Sequence, residues 1–350
     1  MAPRRCVVTG GSGFVGRRLV EMLIERGNYD LVVSFDVLPN PTNVDDKYDK
    51  NIEYVVGDLT DMVSVLSALK GAECVYHIAA LVGPYFPKEA YYKVNYLGTV
   101  NIIDACKKYG IRKIVMSSSP STRFDGNDIM GKTEEDLQIR PPGQFLQPYA
   151  ETKAMGEMAM REACDGDKLL TVAVAPHQVY GPRDMLFLHN MLKTQRLRIF
   201  GNGQNKCSFT HVDNYCHALI LGEKALYKGS PALGKFYIAT DGPPQNFWEV
   251  VDVARVAMGS PSLTTKFHLP VAFIMALAHV CDLVGYILNK KFKLTPFSVK
   301  MLVIHRWFDI SAAKRDLGYE PLFTFQEGWA STIEWFKEHW LPDYTAGKFD

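Results

Sequence analysis

Tyr149 and Lys153 stand four residues apart in the stretch Tyr149-Ala-Glu-Thr-Lys153. That spacing sets a phenol and an ammonium on one face of a helix, and Pro148 just before them suits a helix start. A free phenol titrates at about 10 and is a poor base near neutrality, but a neighbouring cation favours the phenolate. The chemistry that needs such a pair is removal of the proton from an alcohol as hydride loss turns it into a carbonyl. Between the N-terminus and this pair, Ile114-Val115-Met116-Ser117-Ser118-Ser119 reads as an apolar strand ending in hydroxyls. Ser119, closest to the strand end, is assigned to orient the substrate oxygen, with Ser118 the alternative. A Tyr-x-x-x-Lys pair alone is common on ordinary helices, so its company decides its meaning.

That company begins with Thr9-Gly10-Gly11-Ser12-Gly13-Phe14-Val15-Gly16. An apolar run, Arg5–Thr9, precedes this turn, and apolar residues at helical spacing follow it from Phe14 to Ile24. Strand, glycine turn and helix in that order suit a dinucleotide. Gly10 permits the tight turn, Gly13 lets the backbone approach a pyrophosphate, and Gly16 lets helix and strand pack closely. The helix N-terminus then offers free N–H groups and partial positive charge.

Leu31–Phe35 reads as a second strand ending in Asp36, about 20 residues after the glycines, where a carboxylate accepts from the adenosine ribose. NAD is therefore expected over NADP, with Arg17 and Arg18 the only nearby groups that would hold a 2′-phosphate. Asp58, after a third apolar run, is assigned to the adenine amino group, or to the cap of a helix starting near Thr60. His77, in a fourth strand, is expected to be packed and hydrogen-bonded, and no metal is expected. In this frame Lys153 also holds the nicotinamide ribose.

The alternation of apolar runs with helical patterns up to about Ala175 implies an α/β fold with a doubly wound parallel sheet of Rossmann type. Residues 1–178 are assigned to the NAD-binding domain and 179–350 to a smaller C-terminal substrate lobe. The 350 residues, 47% of them hydrophobic, carry a net charge of +1, which gives no electrostatic case for nucleic acid. Seven dispersed cysteines without a Cys-x-x-Cys pair suit reduced thiols rather than a disulfide framework. The first strand follows the N-terminus within a few residues, so no signal or transit peptide is expected.

Together these motifs resemble the extended short-chain dehydrogenase/reductases. Within that group the chain resembles the 3β-hydroxysteroid dehydrogenase family, and in particular its branch of decarboxylating sterol-4α-carboxylate 3-dehydrogenases. Further matching segments are His77–Ala80, Val94–Thr99, Ser118–Gly126, Val179–Asp184, Gly201–Asn205, Phe209–Asp213 and Gly318–Pro321. The resemblance implies oxidation of the 3β-hydroxyl of a 4α-carboxysterol, followed by loss of CO2 from the resulting β-keto acid. It implies dinucleotide contacts from Gly10, Gly13, Phe14, Val15, Gly16, Asp36, Asp58, Leu59, Ala79, Asn95, Tyr149, Lys153 and Pro176. Arg123 and Arg183 are the candidates for holding the substrate carboxylate. Pro120, Arg123 and His177 depart from the residues common in related enzymes.

The resemblance also implies a homodimer through the Tyr149 helix and the helix near Tyr91–Lys107. It places the chain at the endoplasmic reticulum surface or on lipid droplets, facing the cytosol, with a cytoplasmic location as the alternative. Simple 3β-hydroxysteroid dehydrogenation, with or without Δ5–Δ4 isomerisation, and a nucleotide-sugar epimerase or dehydratase are alternative activities. A non-catalytic scaffold would not need Ser119, Tyr149 and Lys153 together.

One further stretch, Leu269–Leu288, is apolar except for His279, Asp282 and Tyr286 along one edge. It reads first as a buried or pocket-lining helix and next as an interfacial one. A membrane span comes last, since it would carry Asp282 into the bilayer. The following Asn289-Lys290-Lys291-Phe292-Lys293 suits anionic headgroups.

Overall fold

Side chains alternate across each strand, and here both faces are apolar, as a sheet covered on both sides requires. Cys6, Val8, Val32, Tyr76, Val115, Val172 and Val174 pack to one side. Val7, Val33, Phe35, Val75, Ile114 and Met116 pack to the other. The computed structural model describes residues 3–39, 48, 50–83, 86–288, 290 and 292–348; Asn289 and Lys291 of the basic run lie outside them.

The central sheet has seven strands, in the spatial order Lys235–Ile238, Leu170–Ala175, Lys113–Ser117, Cys74–His77, Arg5–Thr9, Leu31–Asp36 and Ile52–Val56. Every pairing in it is parallel. The chain winds outward from Arg5–Thr9 to Ile52–Val56, then returns to the other side of Arg5–Thr9 with Cys74–His77. The resulting reversal of strand order opens a crevice beyond the carboxyl ends of those two strands, where ligands of doubly wound sheets bind. Helices Phe14–Glu25 and Val212–Lys224 contribute to the core on one face of the sheet. Met62–Leu69 and Gly98–Tyr109 contribute to that on the other.

The boundary expected at residue 178 is crossed in both directions. Lys235–Ile238 extends the central sheet beyond Leu170–Ala175. Ile129–Lys132, from the first half, joins a four-stranded sheet with Arg306–Phe308, Lys206–Cys207 and Gln245–Asn246. The second lobe has an aromatic core that includes Tyr180, Phe209, Phe247, Trp248, Phe325 and Trp329.

The apolar stretch forms the helix Val271–Leu288, and it is not buried: its mean hydropathy is 2.1, yet only 17% of it lies inside the protein. Ile274, Ala278 and Gly285 form the buried stripe. Gly285 is required there, since a Cβ would lie 2.6 Å from the Lys290 carbonyl oxygen. Phe273, Leu277, Val280, Leu283, Val284 and Ile287 are exposed and share one sector at helical spacing. His279, Asp282 and Tyr286 are exposed on the opposite flank. Apolarity alone favours a buried reading, but among the described residues the lobe offers this helix a neighbour on one edge.

Candidate active site

The glycine turn is built by backbone geometry. Gly10 has φ +71°, and its N–H donates to the Phe35 carbonyl at 2.8 Å. A Cβ at Gly10 would sit 2.9 Å from the Ala79 Cα, and one at Gly16 would sit 1.9 Å from the Gly10 carbonyl oxygen. Gly13 caps helix Phe14–Glu25 with no side chain to accept its first N–H groups, which leaves the N-terminus open to an anion.

Asp36 ends its strand beside this turn. Its carboxylate accepts from the Ser12 and Leu38 N–H groups, each at 3.0 Å, and stays partly exposed. Arg18 is engaged by Asp213 at 2.8 and 3.0 Å and by Glu25 at 3.1 Å, while Arg17 pairs with Glu21 at 3.3 Å. These residues fit a dinucleotide with an unphosphorylated ribose.

The cap of helix Met62–Leu69 is Asp61, whose carboxylate accepts from Val63 and Ser64, each at 3.1 Å. The expectation that Asp58 caps this helix is therefore corrected. Its Oδ1 accepts from Thr60 N at 2.8 Å, and its side chain is exposed at the crevice end of its strand. Leu59 is buried, and Ala79 and Pro176 are partly exposed near strand ends. Asn95 is turned inward: its amide accepts from Leu81 N at 2.8 Å and donates to Leu81 O at 3.1 Å, so it shapes the loop after Cys74–His77.

His77 is buried with both ring nitrogens partnered, Nδ1 by Thr9 Oγ1 at 3.0 Å and Nε2 by Thr99 Oγ1 at 2.9 Å. Thr99 donates to Asn95 O, and Thr9 accepts from the Ile78 and Ala79 N–H groups. The ring therefore accepts at Nδ1 and donates at Nε2. Burial, with Lys153 adding, brings its pKa down to about 3.

The three serines diverge. The Ser117 hydroxyl accepts from Tyr215 at 2.7 Å, and its carbonyl accepts from Lys153 Nζ at 2.6 Å. Ser118 donates to Glu157 at 2.7 Å and is buried, which removes it as the alternative to Ser119. Ser119 bonds Ser121 Oγ at 2.9 Å, and its hydroxyl lies close enough to Tyr149 to favour the phenolate. The helix carrying Tyr149 spans Pro148–Glu162 with proline in its first turn, so Tyr149, Lys153 and Glu157 lie along one face.

Burial pushes the Tyr149 hydroxyl above the ordinary phenol range; the neighbouring Ser119 hydroxyl pulls it down and Tyr91 adds to the rise. Burial also lowers Lys153 to about 8, with Glu157 opposing. The expected pairing of ammonium and phenol is therefore incomplete in the protein alone, because burial dominates both groups.

Neither arginine proposed for a substrate carboxylate is available as it stands. Arg123 is buried, meets Glu157 at 2.5 and 2.9 Å, and lies 3.4 Å above the Phe236 ring. Arg183 grips the Glu21 carboxylate at 2.7 and 2.8 Å. His177 is buried, donates from Nδ1 to Ser208 O at 2.7 Å and lies 3.4 Å from Arg306. Nothing local in the sequence announced Glu157, whose partners lie 34 and 39 residues earlier.

Comparison with known proteins adds to this geometry. Residues 7–269 match the family model described as 3-beta hydroxysteroid dehydrogenase/isomerase. The 3beta-hydroxysteroid-dehydrogenase/decarboxylase isoform 1 of Arabidopsis thaliana is 34% identical, over 95% of this chain and 80% of its own length. The human decarboxylating sterol-4-alpha-carboxylate 3-dehydrogenase is 32% identical, over 95% of this chain and 88% of its own. Among solved structures, dTDP-glucose 4,6-dehydratase from Bacillus anthracis in complex with NAD superposes with a TM-score of 0.71 at 20% identity, covering 96% of this chain and 97% of that one. At that identity the likeness concerns the fold alone.

Proposed function

The chain belongs to the 3-beta hydroxysteroid dehydrogenase/isomerase family, and from that premise we propose that it oxidises the 3β-hydroxyl of a 4α-carboxysterol with NAD and releases the carboxyl as CO2. The observation that carries this reading is the docking of the Tyr149–Lys153 helix against the serine-bearing carboxyl end of a sheet strand, with Lys153 Nζ 2.6 Å from Ser117 O, on the same sheet edge as the glycine turn. NAD, when bound, supplies the hydride acceptor. Gly10, Gly13 and Gly16 with the open N-terminus of Phe14–Glu25 hold its phosphates, and Asp36 holds its ribose.

Tyr149 Oη takes the proton of the carbinol, and Ser119 Oγ donates to the same oxygen and fixes its direction. Lys153, below about 8 still charged, is assigned the positive charge that favours ionisation of the partly buried phenol once the cofactor and substrate complete the site. The product is a β-keto acid. When CO2 leaves, the electron pair of its C–C bond passes to the ketone oxygen as an enolate, which the Ser119 and Tyr149 hydroxyls stabilise as donors.

A second reading, dehydrogenation without decarboxylation, is favoured by the engagement of Arg123 with Glu157 and of Arg183 with Glu21.

We also assign the exposed sector of Val271–Leu288 to a lipid surface, which puts the protein at the membranes or droplets that dissolve sterols. The exposed Lys290 and Lys293 beside that sector suit anionic headgroups. A helix lying flat on the interface keeps Ile274, Ala278 and Gly285 on the lobe and Asp282 in water, whereas a span would free none of the polar edge from the bilayer. Pairing of two copies through Pro148–Glu162 and Gly98–Tyr109 is part of the same reading.

The test is NADH formation with a purified 4α-carboxy-3β-hydroxysterol, with released CO2 followed in the same tube. Equal yields of both support the decarboxylating reading. NADH alone supports the second. If neither appears while NAD binds, the sterol assignment fails.

A further inference from the structure

Three consecutive residues at one strand end contact three positions of one helix. The Ser117 carbonyl accepts from Lys153 and Ser118 donates to Glu157, while Ser119 is close enough to Tyr149 to shift its titration. Of these partners only Glu157 is a buried anion, its side chain 0% exposed and that of Arg123 3%. Its two oxygens accept from both terminal nitrogens of Arg123, a two-point contact that fixes orientation as well as distance. Arg161 lies farther away, at 3.6 Å on the surface side.

Arg123 closes the short helical turn Pro120–Arg123, whose cap is Ser119 itself. Thr122 ties the turn together by donating to Ser119 O at 2.8 Å while accepting from Arg123 at 2.6 Å. Glu157 thus grips the residues on both sides of Ser119, at 118 and at 123, from the helix that carries Tyr149.

We propose that Glu157 and Arg123 are positioning residues whose buried pair sets how Ser119 Oγ meets Tyr149 Oη. The role rests on the assignment of Ser119 and Tyr149 to proton transfer given above. Misplacement of reacting groups by about 1 Å lowers rates on the order of 100-fold without altering binding to the same degree. A buried pair kept only for stability would behave differently, because apolar residues of similar volume often replace such pairs at no loss of stability.

The experiment compares wild type with the double variant Arg123→Met, Glu157→Met. The expected result is a Tm close to wild type, kcat lower by about 30-fold or more, and KM and NAD affinity within about threefold. Recovery of kcat along with Tm would overturn the proposal. Should the double variant fail to fold, Ser118→Ala removes one grip and leaves the ion pair intact. It is expected to lower kcat by about fivefold at unchanged KM and Tm, and an unchanged kcat would overturn the proposal. A crystal structure of whichever variant folds reads the role without any substrate. Displacement of Ser119 Oγ relative to Tyr149 Oη supports the proposal, and an unchanged placement contradicts it. Failure of wild type to oxidise the sterol would count against the reaction, not against the clamp.

Discussion

The strand end Ser117–Ser119 with its facing helix and the helix Val271–Leu288 invert the usual distribution of side chains in opposite ways. In the first, Ser118, Arg123, Lys153 and Glu157 are polar and buried; in the second, Phe273, Val280, Leu283 and Ile287 are apolar and exposed. Polar interiors and exposed apolar sectors are the informative exceptions in a folded chain. Each buried polar group in the first region has a named partner, as a site must if its atoms are to hold position. Among the described residues the second region is fastened by the buried stripe Ile274, Ala278 and Gly285 with Met275 packed beside it, and its apolar sector stays exposed. On the function proposed above, one region serves the reaction and the other access to an insoluble substrate.

The sharpest way to break this contrast is to remove the buried charge. Lys153 is lowered to about 8 from about 10.5 unfolded, so the unfolded chain binds more protons between those values. Below about 8 the buried ammonium therefore costs about 3 kcal/mol, and this cost fades as pH rises to about 10.5. Lys153→Met should lower kcat by about 100-fold or more while leaving Tm at pH 7 unchanged or raised. A variant that loses Tm in proportion to activity would show that Lys153 serves the fold instead.

Next in size is the exposed region. Leu283→Asp with Ile287→Asp removes two large apolar side chains from the outward sector, each worth about 1.5 kcal/mol at a lipid surface. Co-sedimentation with vesicles of phosphatidylcholine and phosphatidylserine should fall by about 100-fold, with Tm and turnover of detergent-dispersed sterol unchanged. Equal vesicle binding by the variant would assign the sector to another partner.

The remaining effect is on stability and concerns the buried histidines. His77 and His177 each sit at about 3 in the folded protein against about 6.5 unfolded. Between these values the unfolded state binds more protons, so stability falls as pH drops below about 6.5, by about 1.4 kcal/mol per unit for each ring. Urea unfolding at pH 6.5 and pH 5 should differ by about 3 kcal/mol. Identical midpoints at the two values would mean that these rings take up protons without unfolding.

What could be read from the sequence was local. The glycine turn, Asp36 and the Tyr149–Lys153 helix are defined within a strand, a turn or one helical face, where spacing fixes geometry. The partners of Arg123 and Arg183 lie 34 and 162 residues away in the chain, so charge type suggested a ligand while the fold supplied a carboxylate. The sequence reading names only Asp58 as a cap, whereas Asp61, three residues on, is the carboxylate that reaches Val63 and Ser64. For Val271–Leu288 the pattern gave an apolar helix, but how many of its sides meet protein depends on where the lobe ends. The exchange of Ile129–Lys132 and Lys235–Ile238 between the sheets is likewise a long-range pairing that periodicity does not encode.

The measurement that bears most directly on the central claim is the turnover of Tyr149→Phe beside its affinity for NAD. The account predicts a loss of turnover of about 100-fold or more, with NAD binding within about threefold of wild type, because the phenol acts on the carbinol proton. Turnover close to wild type would remove Tyr149 from the chemistry and with it the role assigned to the buried region.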